Sequence, residues 1–271
     1  MSPSRRKSTR KSPRKQRRDM PPLFRYLLAG AMTVCFALFF YYFFVRPYSY
    51  RWKSCPGNKE YGVCIPCGYQ VHGIDISHHQ GRIDWDRLAA SRREKAPLHF
   101  VFMKATEGGD HCDDMFGENL DQARQHGFLC GAYHFFNPAT DALRQADFFI
   151  SQARLCRGDL PPVLDVETTG GKDKKELQHG VKQWLDRVEQ HYGVKPILYT
   201  SYKFKSRYLN DSLFDAYPYW IAHYYVDTIA YQGAWSFWQH TDVGDVPGIP
   251  KRVDLNVFNG SIEELKALTL Q

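Results

Sequence analysis

Apolar residues fall into two regimes along the chain. From Tyr26 to Val45 they form one run of twenty residues without a charge. At 1.5 Å per residue, a helix of that length spans a hydrocarbon core of about 30 Å. Beyond residue 70 the apolar positions come in short runs bounded by Gly, Pro or polar clusters: Val71–Ile76, Leu98–Ala105, Leu129–Phe136, Pro162–Val166, Pro196–Tyr199, Tyr219–Tyr224, Phe237–His240 and Val253–Phe258. Runs of this length predict eight strands. Helical stretches separate the first five: Asp84–Lys95, Asp113–His126, Thr140–Arg154 and Lys174–Tyr192. In the last of these, Leu177, Val181, Trp184, Leu185 and Val188 recur at spacings of three and four, giving one face to bury. The later gaps are mostly too short for a crossover helix, so the pattern predicts an α/β protein. Its expected form is an irregular TIM-like β/α barrel whose C-terminal third is reduced to strands and loops. A doubly wound open sheet is the competing topology. It lacks support, because the first run reads His72-Gly73-Ile74-Asp75 and no glycine-rich dinucleotide fingerprint follows.

Charge changes the picture at the front end. Of the net +7, residues 1–25 contribute ten Lys/Arg against one acidic residue, so the rest of the chain is slightly acidic. A nucleic-acid partner therefore loses its main support. The organisation expected is a basic tail (1–25), an anchor (26–45), a cysteine-containing linker or stalk (46–69) and a catalytic domain (70–271). The apolar run is longer than a signal-peptide core of about 7–15 residues and lacks a small-residue cleavage site, which favours an uncleaved signal-anchor. The positive-inside rule places the tail in the cytoplasm and everything after Pro47 outside, with Tyr41, Tyr42 and Tyr48 at the far interface. Cys55, Cys64, Cys67, Cys112, Cys130 and Cys156 then face an oxidising space, in pairings that spacing does not fix.

Polar residues recur at the ends of the predicted strands: Asp75 with Ser77, Lys104 with Glu107, Tyr133 with His134, Asp165 with Glu167, Tyr199, His223 with Tyr224, Gln239, and Asp254. In a β/α barrel the C-terminal strand ends converge on one mouth, where active sites are built. Alternate strand residues face the same way, so Asp165 and Glu167 project on one side about 7 Å apart. Each carboxylate raises the pKa of the other, leaving one as a proton donor and one as an anion. Glycosidic cleavage needs that division. Sugar C–H faces pack on aromatic rings, and Trp220 and Trp238 sit beside strand-end polar groups. No His-Glu-x-x-His set or Gly-x-Ser-x-Gly elbow appears among the residues, so neither a metal, a cofactor nor a serine nucleophile is expected.

His72-Gly73-Ile74-Asp75-Ile76-Ser77, Phe102-Met103-Lys104-Ala105-Thr106-Glu107-Gly108, Gly131-Ala132-Tyr133-His134-Phe135, Asp165-Val166-Glu167, Trp220-Ile221-Ala222-His223-Tyr224, Trp238-Gln239 and Val253-Asp254-Leu255-Asn256-Val257-Phe258 resemble, in order, the motifs of glycoside hydrolase family 25, the Chalaropsis-type lysozymes. The resemblance covers roughly residues 70 to 265. It implies five β/α units closed by three further strands, and hydrolysis of the β-1,4 bond between N-acetylmuramic acid and N-acetylglucosamine in peptidoglycan. Carried over by position, Glu167 is the general acid and Asp165 orients or stabilises the reacting sugar, with Asp75 and Asp254 as further acids of the site. Tyr133, Glu107, Tyr199, Trp220, Tyr224, Gln239 and Asp242 are the expected substrate-binding residues. The partners expected are peptidoglycan strands and, through Tyr26–Val45, a membrane. This places a monomeric catalytic domain on the periplasmic or cell-surface side of a bacterial inner membrane. A non-catalytic glycan-binding module and a chitinase-like glycosidase are the alternatives.

Overall fold

The computed structural model describes residues 21–46, 58–90 and 96–271. Most of the basic tail, and Tyr48 and Cys55 of the linker, lie outside the described residues. The chain divides into two compact units between Lys53 and Ser54. In the first, α1 (Pro22–Phe40) starts on a proline, suited to the first helical turn because that turn needs no N–H, and continues as a π-helical segment, Tyr41–Val45. Pro22–Val45 has a mean hydropathy of 2.0 and is long and apolar enough to cross a membrane by length and composition.

The second unit opens with a small hairpin, β1 (Lys59–Glu60) and β2 (Val63–Cys64). Tyr61 at its turn is buried and donates its hydroxyl to the Ala96 carbonyl at 2.8 Å. Residues 58–69, read from sequence as the end of a stalk, thus pack on the body that follows. Cys64 is disulfide-bonded. Among the described residues, Cys35, Cys67, Cys112, Cys130 and Cys156 are not disulfide-bonded.

Five strand–helix units follow: β3 (Val71–Ile76) with α2 (Trp85–Ala90), β4 (Leu98–Glu107) with the short β5 (His111–Cys112) and α3 (Phe116–Gln125), β6 (Leu129–Phe135) with α4 (Ala142–Ala153), β7 (Val163–Asp165) with α5 (Lys174–Tyr192), and β8 (Ile197–Ser201) with α6 (Tyr202–Tyr208). Then come β9 (Tyr219–Ala222), β10 (Phe237–Gly244), β11 (Val253–Phe258) and α7 (Ile262–Ala267). Among the described residues, β3, β4, β6, β7, β8, β9, β10 and β11 pair in that order, and β11 returns to β3. The eight predicted runs are these eight strands, and the barrel is closed. All neighbours are parallel except those of β11, which runs antiparallel to both β10 and β3.

Alternation along the strands divides the core in two. Val71, Phe100, Phe102, Val163, Ile197, Trp220, Phe237 and Phe258 fill the barrel interior. Ile74, Ile76, Val101, Met103, Leu164 and Leu198 face the helices. The interior is filled by pairing large with absent side chains across neighbouring strands. Gly73 is the register partner of Phe100, and Gly131 of Phe102. A Cβ on either glycine would lie 2.4 Å from the facing ring.

Helix α5 shows why the helical layer forms where it does. Asp173 caps it in a reciprocal box with Glu176, and Gly193 ends it at φ 72°. Leu177, Val181, Trp184, Leu185 and Val188 are buried on one face, each worth about 1.5–3 kcal/mol of apolar transfer. Asp173→Ala removes the cap at a cost of about 1 kcal/mol.

Candidate active site

Each inward-facing strand position at the C-terminal end of the barrel carries a polar or aromatic side chain. Asp75, Lys104, Tyr133, Asp165, Tyr199, Trp220, Gln239 and Asp254, with Ser77, His79, Phe135, Glu167 and Tyr224, line one cavity of about 660 Å³ including its open mouth. Eleven of the residues singled out as strand-end or site candidates meet there because alternation gives each strand one last inward side chain before the rim.

The floor is a hydrogen-bonded network. Asp75 Oδ1 accepts from Gln239 Nε2 at 2.8 Å and from Asn256 Nδ2 at 2.6 Å. The Gln239 carbonyl accepts the Tyr199 hydroxyl at 2.7 Å and the Tyr224 hydroxyl at 2.5 Å. Asn256 Oδ1 in turn accepts from Trp220 Nε1 at 2.8 Å. Gln239 is thereby oriented without ambiguity, its amide toward the carboxylate and its oxygen toward two phenols.

The acids above the floor differ in exposure. Asp165 ends β7 and is buried, while Glu167 lies two residues further, on the solvent-exposed rim. Asp165 Oδ1 has no hydrogen-bond partner among the described residues. Burial pushes the Asp165 carboxyl well above its ordinary range, and the negative charges of Glu167, Asp75 and Asp254 add to the rise, against the Lys104 ammonium. Glu167 is raised as well, by partial desolvation, with hydrogen bonding from Tyr199 and the charge of Lys104 acting against it. Burial raises both Asp75 and Asp254; the Glu167 charge adds to the rise at Asp75, and the charges of Asp75, Asp242 and Glu167 add to it at Asp254. The two amide donors resist the rise at Asp75, so Asp254 takes the proton first.

Among the described residues that line the cavity, Lys104 is the one Lys or Arg. Its ammonium lies 2.6 Å from Glu107 and 5.0 Å from the Phe135 ring centre. Glu107, expected to bind substrate, stands outside the lining because β4 runs past the rim to pair with β5, and its carboxylate holds Lys104 instead. Asp242 also lies outside, exposed on the overhang of β10, accepting the Tyr225 hydroxyl. Trp220 is in the lining, yet its ring is stacked on Phe102 at 4.7 Å and crossed by Tyr199, so it forms the floor. Trp238 faces the other way. It is fully buried on the outer side of the barrel, with Nε1 on the His223 carbonyl, and offers no surface to a sugar. Asn256 escaped notice in the sequence. Its signal is the two-residue offset from Asp254, which puts both on one face of β11. His134 is not in the cavity: it lies among Thr106, Gln145 and Trp184 behind the sheet. Among the described residues no group of three His, Cys, Asp or Glu could hold a metal.

Residues 74–249 match the family model described as glycosyl hydrolases family 25. The chain belongs to this family. It is 46% identical over 210 residues to the Escherichia coli K12 protein YegX, covering 77% of each chain. It is 32% identical over 228 residues to lysozyme M1 of Streptomyces globisporus, covering 79% of this chain and 75% of that one. Among solved structures, the bacterial lysozyme of Streptomyces coelicolor superposes with a TM-score of 0.69 at 31% identity, covering 74% of this chain and 98% of that one. The family 25 chain is thus a glycoside hydrolase with a closed eight-stranded barrel, and the match spans β3 to the loop before β11.

Proposed function

We propose that this family 25 hydrolase is a lysozyme that cuts the β-1,4 bond between N-acetylmuramic acid and N-acetylglucosamine of peptidoglycan, with Glu167 as general acid and Asp165 as the group that orients the reacting sugar. The observation that carries this reading is the unpartnered, buried oxygen of Asp165 beside the exposed carboxyl of Glu167. A buried carboxylate oxygen without a donor is costly unless a ligand supplies one. The N–H of a sugar's 2-acetamido group is a donor of the right kind, and both peptidoglycan sugars carry one.

The proton bookkeeping follows from the two environments. Asp165 and Glu167 repel each other, so once one has ionised the remaining proton of the pair is held more firmly. Burial favours its residence on Asp165. An N–H donated to Asp165 stabilises the anion there and leaves the proton to Glu167. Glu167 then protonates the glycosidic oxygen as the C1–O bond breaks, and the positive charge at C1 faces the Asp165 carboxylate, directly or through the acetamido oxygen it orients. Water adds to C1, and its proton returns to Glu167. Gln239 and Asn256 hold Asp75 as the fixed anion of the floor, and Lys104 offsets the accumulated negative charge.

The same reading places the enzyme on a membrane through Pro22–Val45, preceded by the basic tail 1–25, with the barrel and the residues 58–69 packed on it outside the cytoplasm. The test is zymography of the detergent-solubilised full chain on purified peptidoglycan, with Glu167→Gln alongside. Clearing by the parent and loss of clearing by the variant support the proposal. No clearing by the parent, or equal clearing by both, overturns it.

A further inference from the structure

Tyr225 stands immediately outside the catalytic cavity and none of the chemistry above uses it. Three observations set it apart. Its backbone is left-handed, at φ 63°, where a bulky residue is uncommon and the strain must be held by its surroundings. Its side chain remains exposed, unlike nearly every other large apolar side chain of the barrel unit. Its hydroxyl donates to the Asp242 carboxylate, and its ring lies 5.8 Å from that of Tyr224, whose own hydroxyl belongs to the cavity floor.

The strands explain the placement. After β9 ends at Ala222, the chain keeps following β10, with His223 N–H on the Gln239 carbonyl and Tyr225 N–H on that of His240. β10 itself overruns the rim as far as Gly244. Asp242 is close enough to the site to raise the Asp254 carboxyl by its charge. Tyr225 and Asp242 therefore form a short wall continuous with the mouth, on the side of Asp254 and Tyr224.

We propose that the Tyr225 ring is the platform of an additional saccharide subsite, stacking on the apolar C–H face of a glycan unit that extends beyond the cavity, with Asp242 as the clamp that fixes the ring. The inference rests on the glycan-hydrolase reading and deepens it, because it assigns the wall to chain-length recognition. A cavity of this volume holds little more than the residues flanking the cleaved bond, whereas a polymer continues past the rim. An exposed aromatic ring held by a charged hydrogen bond, in a backbone conformation better suited to glycine, is a surface kept for contact with something outside the protein.

Tyr225→Gly is the informative variant, since glycine accepts the positive φ and removes the ring. The full chain in detergent is measured for binding to purified peptidoglycan and to chitopentaose and chitobiose, alongside steady-state hydrolysis. The expected result is roughly tenfold weaker binding of the polymer and the pentamer, with dimer binding unchanged, and KM raised with kcat preserved. Tyr225→Phe, which keeps the ring and cuts the clamp, gives a smaller loss of the same kind. The melting temperature of Tyr225→Gly stays within about 3 °C of the parent. Unchanged polymer binding by Tyr225→Gly, or equal losses for dimer and pentamer, overturns the proposal. A parent chain that binds glycan but releases no reducing ends contradicts the hydrolase reading, and the binding comparison still decides the role of Tyr225.

Discussion

Asp75 and Asp254 are directly opposed register partners of antiparallel β3 and β11, two carboxylates facing each other at the barrel mouth. Asp75 has two amide donors, one from β10 and one from β11, so the pair is asymmetric by construction. Asn256 carries that asymmetry, since its amide serves Asp75 and its oxygen serves Trp220. Asn256→Ala removes one of the two donors of Asp75 and leaves the buried Trp220 N–H without its acceptor, at about 1–3 kcal/mol. The expected outcome is a melting temperature several degrees lower and a large fall in kcat. A variant as active as the parent contradicts the account of the floor.

Lys104 lowers the carboxyl pKa of both Asp165 and Glu167, by charge. Removing that charge in Lys104→Met raises both. Activity requires the shared proton, so the alkaline limb of the kcat profile, where that proton is lost, moves to higher pH. A limb that stays in place, or moves down, shows that Lys104 does not act on the acids.

Buried histidines predict a loss of stability in acid. Burial lowers His72 and His134 to about 4 and His240 to about 3. The unfolded chain takes up these protons near pH 6.5, before the folded one does. Their contribution is therefore complete above pH 6.5 and is lost as pH falls through about 4 to 3, on the order of a few kcal/mol each. The raised carboxylates act in the opposite sense, so a difference measurement is needed. Melting temperatures of His240→Phe and the parent between pH 7 and 4 should converge or cross as pH falls. A constant difference would mean that His240 is not titrating against folding.

Gly131→Ala tests the interior packing. The added methyl meets the Phe102 ring at 2.4 Å, and overpacking of this kind costs about 1–3 kcal/mol. Phe102→Leu in the same chain makes room, and the double variant should melt above Gly131→Ala alone. Additive losses would show that the clash is relieved elsewhere.

Much of this architecture was legible in the sequence, for a physical reason. Buried parallel strands are short apolar runs, and the helices that cover them repeat at three and four, so eight strands and four helices could be read directly. Helix α6 was missed because its seven residues bury only Phe204 and Lys205, too little for a period to emerge. The acids of the cavity were legible because alternation puts them on the last inward turn of each strand. Glu107 and Asp242 stand outside the cavity lining because their strands outrun the rim. β4 carries Glu107 and β10 carries Asp242 past the cavity, and no local pattern marks where the rim falls. The direction of Trp238 was decided by phase: its neighbours Phe237 and Gln239 point inward, so it must point out. The network joining Asp75, Gln239 and Asn256 spans 181 positions of sequence, and only closure of the barrel brings it together.

The central claim, that Glu167 delivers the proton that breaks a muramidase-sensitive bond, is tested most directly by mass spectrometry of the fragments that the full chain releases from purified peptidoglycan. The account predicts fragments ending in a reducing N-acetylmuramic acid, formed about 10²–10⁴-fold more slowly by Glu167→Gln. Fragments ending in reducing N-acetylglucosamine, or an undiminished rate in the variant, would contradict it.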